Sequence, residues 1–162
     1  MDAELVALSE RIGDALREHS LTLAAAESCT GGWAAAVVTH TAGSSGWFER
    51  GFVTYSNEAK VDMLGVSPAT LAAYGAVSQE IAIEMAVGAL ENSKAMISLA
   101  ITGIAGPTGG SPGKPVGTVC FAWCRKGGTP VAESRHFEGD REAIRRKAVI
   151  HALEGVLNFL AP

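Results

Sequence analysis

Apolar positions recur at helical spacing from the start of the chain. Leu5, Leu8, Ile12 and Leu16, behind Asp2 as a cap, predict an amphipathic helix over residues 3–18. A short strand, Leu21 to Ala26, follows and stops at Glu27-Ser28-Cys29-Thr30-Gly31-Gly32. Beyond it Trp33, Val37 and Val38 predict a second helix to about His40, which makes the Ser28 segment a strand-to-helix turn. Ala42 to Gly46 is a loop by composition, and Phe48 to Tyr55 reads as a strand. The next helix is capped at Asn57 and ended by Gly65, with Lys60 one turn in. Ser67-Pro68 opens a short helix in the favoured cap-then-proline order, and Ser78 opens a longer one over 79–92.

Met96 to Ile101 is apolar apart from Ser98 and runs into Thr102-Gly103-Ile104-Ala105-Gly106-Pro107, the pattern of a buried strand that empties into a glycine-rich loop reaching Pro115. Val116 to Cys124 and Pro130 to Phe137 read as two strands joined by Lys126-Gly127-Gly128-Thr129, a hairpin signal. After Gly139-Asp140 a closing helix puts Val149, Ala152, Leu153, Val156 and Leu160 on one stripe. Arg141, Arg145 and Arg146 crowd its first turns, where positive charge opposes the helix dipole. Helices alternating with about five strands predict an α/β fold, a three-layer α/β/α sandwich with a mixed sheet, spanning 1–162 as one domain. There is no internal repeat, linker or low-complexity tract.

Composition narrows the function classes. The chain has 162 residues, 48% of them hydrophobic, enough for a core, and a formal net charge of −4 that gives nucleic acid no attractive field. The N-terminal residues MDAELVALSE lack the basic start of a secretion signal, and no apolar run approaches the roughly 20 residues of a spanning helix. The expected location is the cytoplasm, with no membrane partner. Three cysteines read as free thiols, and four histidines scattered singly give no metal-ligand spacing, so no metal is expected.

Three segments leave strand ends and could converge on one pocket: the Ser28 turn, Tyr55 to Lys60, and the loop from Thr102. Amides of Cys29, Thr30 and Gly31 at a helix N-terminus could hold an oxyanion, although Ser28 or Thr30 as a simple helix cap is the commoner use of such residues. No histidine accompanies Ser28, and neither a Gly-x-Ser-x-Gly elbow nor a Ser-x-x-Lys pair is present, which leaves a lysine as its base. A desolvated Lys60 would serve; an exposed helical lysine is the plainer reading. Ser56 with Lys60 is a rival pair, better explained by capping. Cys29 is a rival nucleophile, since a thiol at a helix N-terminus is acidified. Tyr55 either packs or reaches the same loops with its phenol, and the Gly103–Gly110 loop is a weak phosphate signal.

Read together, Ala26-Glu27-Ser28-Cys29-Thr30-Gly31-Gly32, Thr54-Tyr55-Ser56-Asn57-Glu58-Ala59-Lys60, Gly75-Ala76-Val77-Ser78, Thr102-Gly103-Ile104-Ala105-Gly106-Pro107, Lys114-Pro115-Val116-Gly117-Thr118 and Gly139-Asp140-Arg141 resemble the CinA C-terminal-domain family, in order and over nearly the whole chain. Among its members the chain resembles the stand-alone nicotinamide-nucleotide amidohydrolases. The resemblance implies deamidation of nicotinamide mononucleotide to nicotinate mononucleotide and ammonia, in pyridine-nucleotide recycling, by a homodimer that needs no cofactor. It implies catalytic roles for Ser28 as nucleophile and for Lys60 and Tyr55 in moving its proton, and family variation after the serine weakens Cys29 as a nucleophile. Thr102, Gly103 and Arg145 are the candidates for the substrate phosphate. A nucleotide-binding or regulatory module with the same fold is the alternative, and the intact Ser28, Tyr55 and Lys60 argue against it.

Overall fold

A computed structural model describes all of residues 1–162. Five strands, β1 (Leu23–Glu27), β2 (Phe48–Val53), β3 (Ile97–Gly103), β4 (Thr118–Arg125) and β5 (Val131–His136), form one sheet in the order β2-β1-β3-β4-β5. β1 is parallel to both β2 and β3, whereas β4 and β5 run antiparallel, so the sheet is mixed as expected. Six helices flank it: α1 (Ala3–Glu18), α2 (Trp33–His40), α3 (Asn57–Leu64), α4 (Pro68–Tyr74), α5 (Gln79–Glu91) and α6 (Arg141–Leu160).

Alternation along the strands sorts the two faces by size. Leu23, Ile97, Leu99, Ile101, Val119, Phe121 and Trp123 point to the layer of α1, α2 and α6, where Leu5, Leu8, Ile12, Leu16, Val37, Val149 and Leu153 meet them. The opposite face carries Ala24, Ala26, Ala100, Cys120, Ala122 and Cys124, against which α5 lays Ile81, Ala82, Met85, Ala86 and Ala89. Small strand residues let α5 sit close to the sheet, and α3 packs outside it through Leu64.

The topology fixes where ligands can go. From β1 the chain crosses to β2 through α2, then returns past β1 to β3 through α3, α4 and α5 on the other face. Right-handed crossovers that leave in opposite directions require helices on opposite faces, and they open a crevice at the carboxyl ends of β1 and β3. Ser28 and Ile104 follow directly on those two ends.

Several boundaries differ from the sequence expectation. β1 starts two residues later than the expected Leu21 and ends one later, at Glu27, whose carboxylate is accommodated inside the protein. β2 ends at Val53, leaving Tyr55 in the link to α3. The cap of α3 is Ser56, not Asn57: its hydroxyl accepts from Ala59 N at 3.0 Å. Thr102 and Gly103 are the last residues of β3, so the glycine-rich loop begins at Ile104.

The α3/α5 contact depends on Gly88. A Cβ there would lie 2.0 Å from the carbonyl oxygen of Leu64, a backbone atom at the end of α3. Alanine gains up to about 1 kcal/mol of helix propensity over glycine, while overpacking against a fixed backbone costs about 1–3 kcal/mol and here requires α3 to move. Gly88→Ala is therefore expected to lower the urea midpoint despite the better propensity. An unchanged or higher midpoint would show that α3 separates freely from α5.

Candidate active site

The Ser28 turn is shaped by a buried carboxylate. Glu27, 1% exposed, accepts from Thr30 Oγ1 at 2.6 Å and Ala34 N at 2.8 Å through Oε1, and from Ala35 N at 3.0 Å through Oε2. Its negative charge sits at the N-terminus of α2, where the helix dipole favours it. This corrects the expected cap. Neither Ser28 nor Thr30 caps α2, because Glu27 does so from the strand before it, through the amides of Ala34 and Ala35. Gly31 and Gly32 have φ of 58° and 98°, left-handed values that let the chain turn between strand and helix.

Of the three amides expected to hold an oxyanion, Gly31 N–H is taken by Ser28 O at 3.0 Å. Those of Cys29 and Thr30 have no hydrogen-bond partner in the protein. Ser28 N itself donates to Ile101 O at 3.0 Å, pinning the turn to the end of β3.

Lys60 reaches this turn from α3. Its Nζ lies 2.9 Å from Ser28 Oγ, 2.9 Å from Thr54 O and 3.4 Å from Tyr55 O. Only 1% of the residue is exposed, and no carboxylate lies within ion-pair distance. Burial without a counter-charge pushes the Lys60 pKa below the ordinary lysine value. A neutral amine has two N–H groups and one lone pair: the two carbonyls take the donors, and the lone pair faces the Ser28 hydroxyl. A protonated amine would donate to all three oxygens, and the Ser28 hydroxyl then has Tyr55 O, 3.5 Å away, as acceptor. Both charge states are accommodated without moving the side chain. Ser56, the rival partner of Lys60, caps α3 instead.

Cys29 is a poor nucleophile here. Burial pushes its thiol up to about 12, the reverse of the acidification expected at a helix N-terminus. Tyr55 is brought to the site in a different way from that expected. Its main-chain oxygen touches Ser28 and Lys60, but its phenol is exposed and accepts from Arg141 Nη2 at 3.1 Å.

These groups line a cavity of about 280 Å³ together with Asn57, Ala76, Thr102, Gly103 and the Ile104–Gly109 loop. Thr102 is buried and its hydroxyl is spent on Ala76 O at 2.9 Å, tethering the α4–α5 link to β3. With Gly103 also in the strand, the unpartnered amides at this end of the cavity belong to Ala105, Gly106, Thr108 and Gly109. Glycine is needed at 106: φ is 76°, and a Cβ would lie 2.4 Å from Val116 Cγ1. The arginine in the cavity is Arg141, whose Nη1 donates to Gly106 O at 2.8 Å. Arg145 is not part of the lining; its guanidinium binds Cys29 O and Thr30 O, so it supports the turn instead of facing a phosphate. Arg141 and Glu27 were not singled out from the sequence. The signal for Glu27 was there: a lone charge closing the strand Leu-Ala-Ala-Ala-Glu has to be satisfied internally. A larger hollow of about 440 Å³, between β5 and α6, holds His151 against Glu133 but has no nucleophile.

Comparison with known proteins agrees with this architecture. A family model described as the CinA C-terminal domain matches residues 5–160. The chain is 55% identical to the nicotinamide-nucleotide amidohydrolase PncC of Escherichia coli strain K12, covering 94% of this chain and 93% of the relative. The PncC of Pseudomonas putida is 49% identical over 96% of both chains. The crystal structure of the competence/damage inducible protein CihA from Agrobacterium tumefaciens superposes with a TM-score of 0.95 at 43% identity, over 99% of this chain and 98% of that one.

The lowered Lys60 pKa has a thermodynamic consequence. Between that value and the ordinary one near 10.4, the unfolded chain binds a proton that the folded chain does not. The contribution of Lys60 to stability is thus highest above the ordinary value, declines as pH falls through this window, and is at its lowest below the folded pKa. Lys60→Met has no such proton, so its stability relative to the wild type should rise as pH is lowered from above 10.4. Urea unfolding at a series of pH values checks this, and a pH-independent difference would mean that Lys60 titrates like an exposed lysine.

Proposed function

This chain belongs to the CinA C-terminal domain family, and on that premise we propose that residues 1–162 form one amidohydrolase domain that converts nicotinamide mononucleotide to nicotinate mononucleotide and ammonia. The observation that carries the reading is the 2.9 Å contact between Ser28 Oγ and a buried, carboxylate-free Lys60 Nζ at the crevice between β1 and β3. That arrangement is an activated nucleophile with its base.

In the proposed reaction neutral Lys60 takes the Ser28 proton as Oγ attacks the carboxamide carbon, which the pyridinium ring makes electron-poor. The free N–H groups of Cys29 and Thr30 stabilise the oxyanion. Lys60 then returns its proton to the departing nitrogen, the C–N bond breaks and ammonia leaves. Water, deprotonated by the same amine, attacks the acyl-enzyme, and the proton goes back to Ser28 as the carboxylate product is released. The residues supply every proton transfer in this scheme, so it needs no cofactor. Tyr55 contributes through its main-chain oxygen, which holds Lys60, and through its phenol, which holds Arg141 at the substrate end.

Nicotinamide mononucleotide is dianionic at its phosphate. Arg141 and the unpartnered amides of Ala105, Gly106, Thr108 and Gly109 form the part of the cavity suited to that charge. The reading places the enzyme in the cytoplasm as a homodimer, in recycling of pyridine nucleotides. No helix is long and apolar enough to cross a membrane. A binding module of the same fold would have no use for a lysine buried against a serine hydroxyl.

Ammonia release from nicotinamide mononucleotide tests the proposal, and wild-type protein that binds the nucleotide without releasing ammonia would refute it. Ser28→Ala should abolish turnover while leaving nucleotide affinity largely intact, because a nucleophile acts on the transition state. The wild-type rate should fall on the acid side as Lys60 becomes protonated, and Lys60→Arg should not restore activity. Arg141→Ala should raise KM for the mononucleotide about 10-fold or more, as expected for a charge-assisted contact worth about 1.5–3 kcal/mol, and change KM for the unphosphorylated riboside much less. Equal changes on the two substrates would take Arg141 out of the phosphate site.

A further inference from the structure

Given the reading of Ser28 as nucleophile, on which this rests, we infer that Arg145 is a positioning residue that aims the oxyanion-binding amides from behind the Ser28 turn. Its Nε donates to Cys29 O at 3.0 Å and its Nη2 to Thr30 O at 3.2 Å. The guanidinium lies 5.6 Å from the centre of the Trp33 ring and pairs with no carboxylate. It is outside the cavity that Ser28 and Lys60 line. An arginine fork normally engages a carboxylate or phosphate; here it is spent on two successive backbone carbonyls.

Peptide planarity transmits that grip to the site. In a trans peptide the C=O and N–H point opposite ways. The peptide joining Cys29 to Thr30 turns its carbonyl to Arg145, so the Thr30 N–H is turned away from Arg145, and that N–H has no partner in the protein. The next peptide turns the Thr30 carbonyl to Arg145 as well, and its N–H, that of Gly31, closes on Ser28 O at 3.0 Å. Fixing Ser28 O fixes the opposite end of its own peptide, the unpartnered Cys29 N–H. One side chain thus orients both free donors. Glu27 holds the far end of the same turn through Thr30 Oγ1 and the amides of Ala34 and Ala35. The positive charge on the carbonyl ends also polarises the N–H ends toward a developing anion.

Arg145→Met keeps an apolar stem over Trp33 without the fork, and Arg145→Lys keeps the charge as a single point donor. Thermal unfolding first establishes that each variant is folded. The decisive measurement is the rate at which a fluorophosphonate probe phosphonylates Ser28, followed by intact mass spectrometry, because the attacked P=O oxygen needs the same two donors whatever the natural substrate. Labelling and kcat should both fall roughly 10- to 100-fold in both variants, with KM for nicotinamide mononucleotide and for its riboside within about threefold of wild type. Added guanidinium should restore part of the labelling rate to Arg145→Ala. Labelling at the wild-type rate in the folded variants overturns the proposal, as does a rise in KM confined to the phosphorylated substrate. Failure of the wild type to be labelled at Ser28 would remove the nucleophile and this role together. Wild-type labelling without ammonia release would overturn only the substrate assignment, and the variant labelling rates would still decide the role of Arg145.

Discussion

The arrangement of this protein around its crevice turns on an amine held in a dry place. Lysine is among the residues least often fully buried, because desolvating an ammonium is costly unless a counter-ion accompanies it. Lys60 has no counter-ion; it has two backbone carbonyls and a serine hydroxyl. That set matches a neutral amine well and a charged one adequately, so the surroundings favour a base that can accept a proton and give it back. The seal around it comes from neighbouring packing: Leu64, at the end of the same helix, is buried against α5, and α5 approaches the sheet because that face presents alanines and cysteines. A bulkier sheet face would push α5 and α3 outward and let water reach the amine.

Elements with a clear period were legible in the sequence. The amphipathic stripes of α1 and α6, the cap-then-proline start of α4, and the apolar run of β3 follow local rules that the structure obeys. The convergence of Ser28, Tyr55, Lys60 and Thr102 followed from their positions at or beyond strand ends, since parallel strands deliver their carboxyl ends to one edge. Side-chain destinations were less legible. Arg141 and Arg145 lie one turn apart on the same side of α6, so which of them lines the cavity depends on where along its length the helix passes the Ser28 turn, and an apolar stripe carries no information on that. Whether Tyr55 offers its phenol or its carbonyl depends on where β2 stops, and the strand ends two residues before it. The acidity of Cys29 was misjudged for the same reason: proximity to a helix N-terminus was visible, but not that Glu27 already occupies that terminus and that the thiol is buried.

The first turns of α6 explain a feature that the sequence made awkward. Three arginines at the N-terminal end of a helix work against its dipole, a cost of a few tenths of a kcal/mol to about 1 kcal/mol each in exposed settings. Each has an acceptor that offsets it: Arg141 takes Gly106 O and the Tyr55 phenol, Arg145 takes the carbonyls of the Ser28 turn, and Arg146 pairs with Asp2 and Glu4 at the start of α1. Arg141 and Arg145 are four residues apart and so share one side of the helix. One of them lines the cavity and the other grips the back of the turn that carries Ser28. A single rigid helix, fixed by the stripe from Ile144 to Leu160, therefore sets the distance between the Arg141 end of the cavity and the Ser28 turn. A rotation of α6 would disturb both together, which is why its apolar stripe is as much a part of the site as the polar groups that line the cavity.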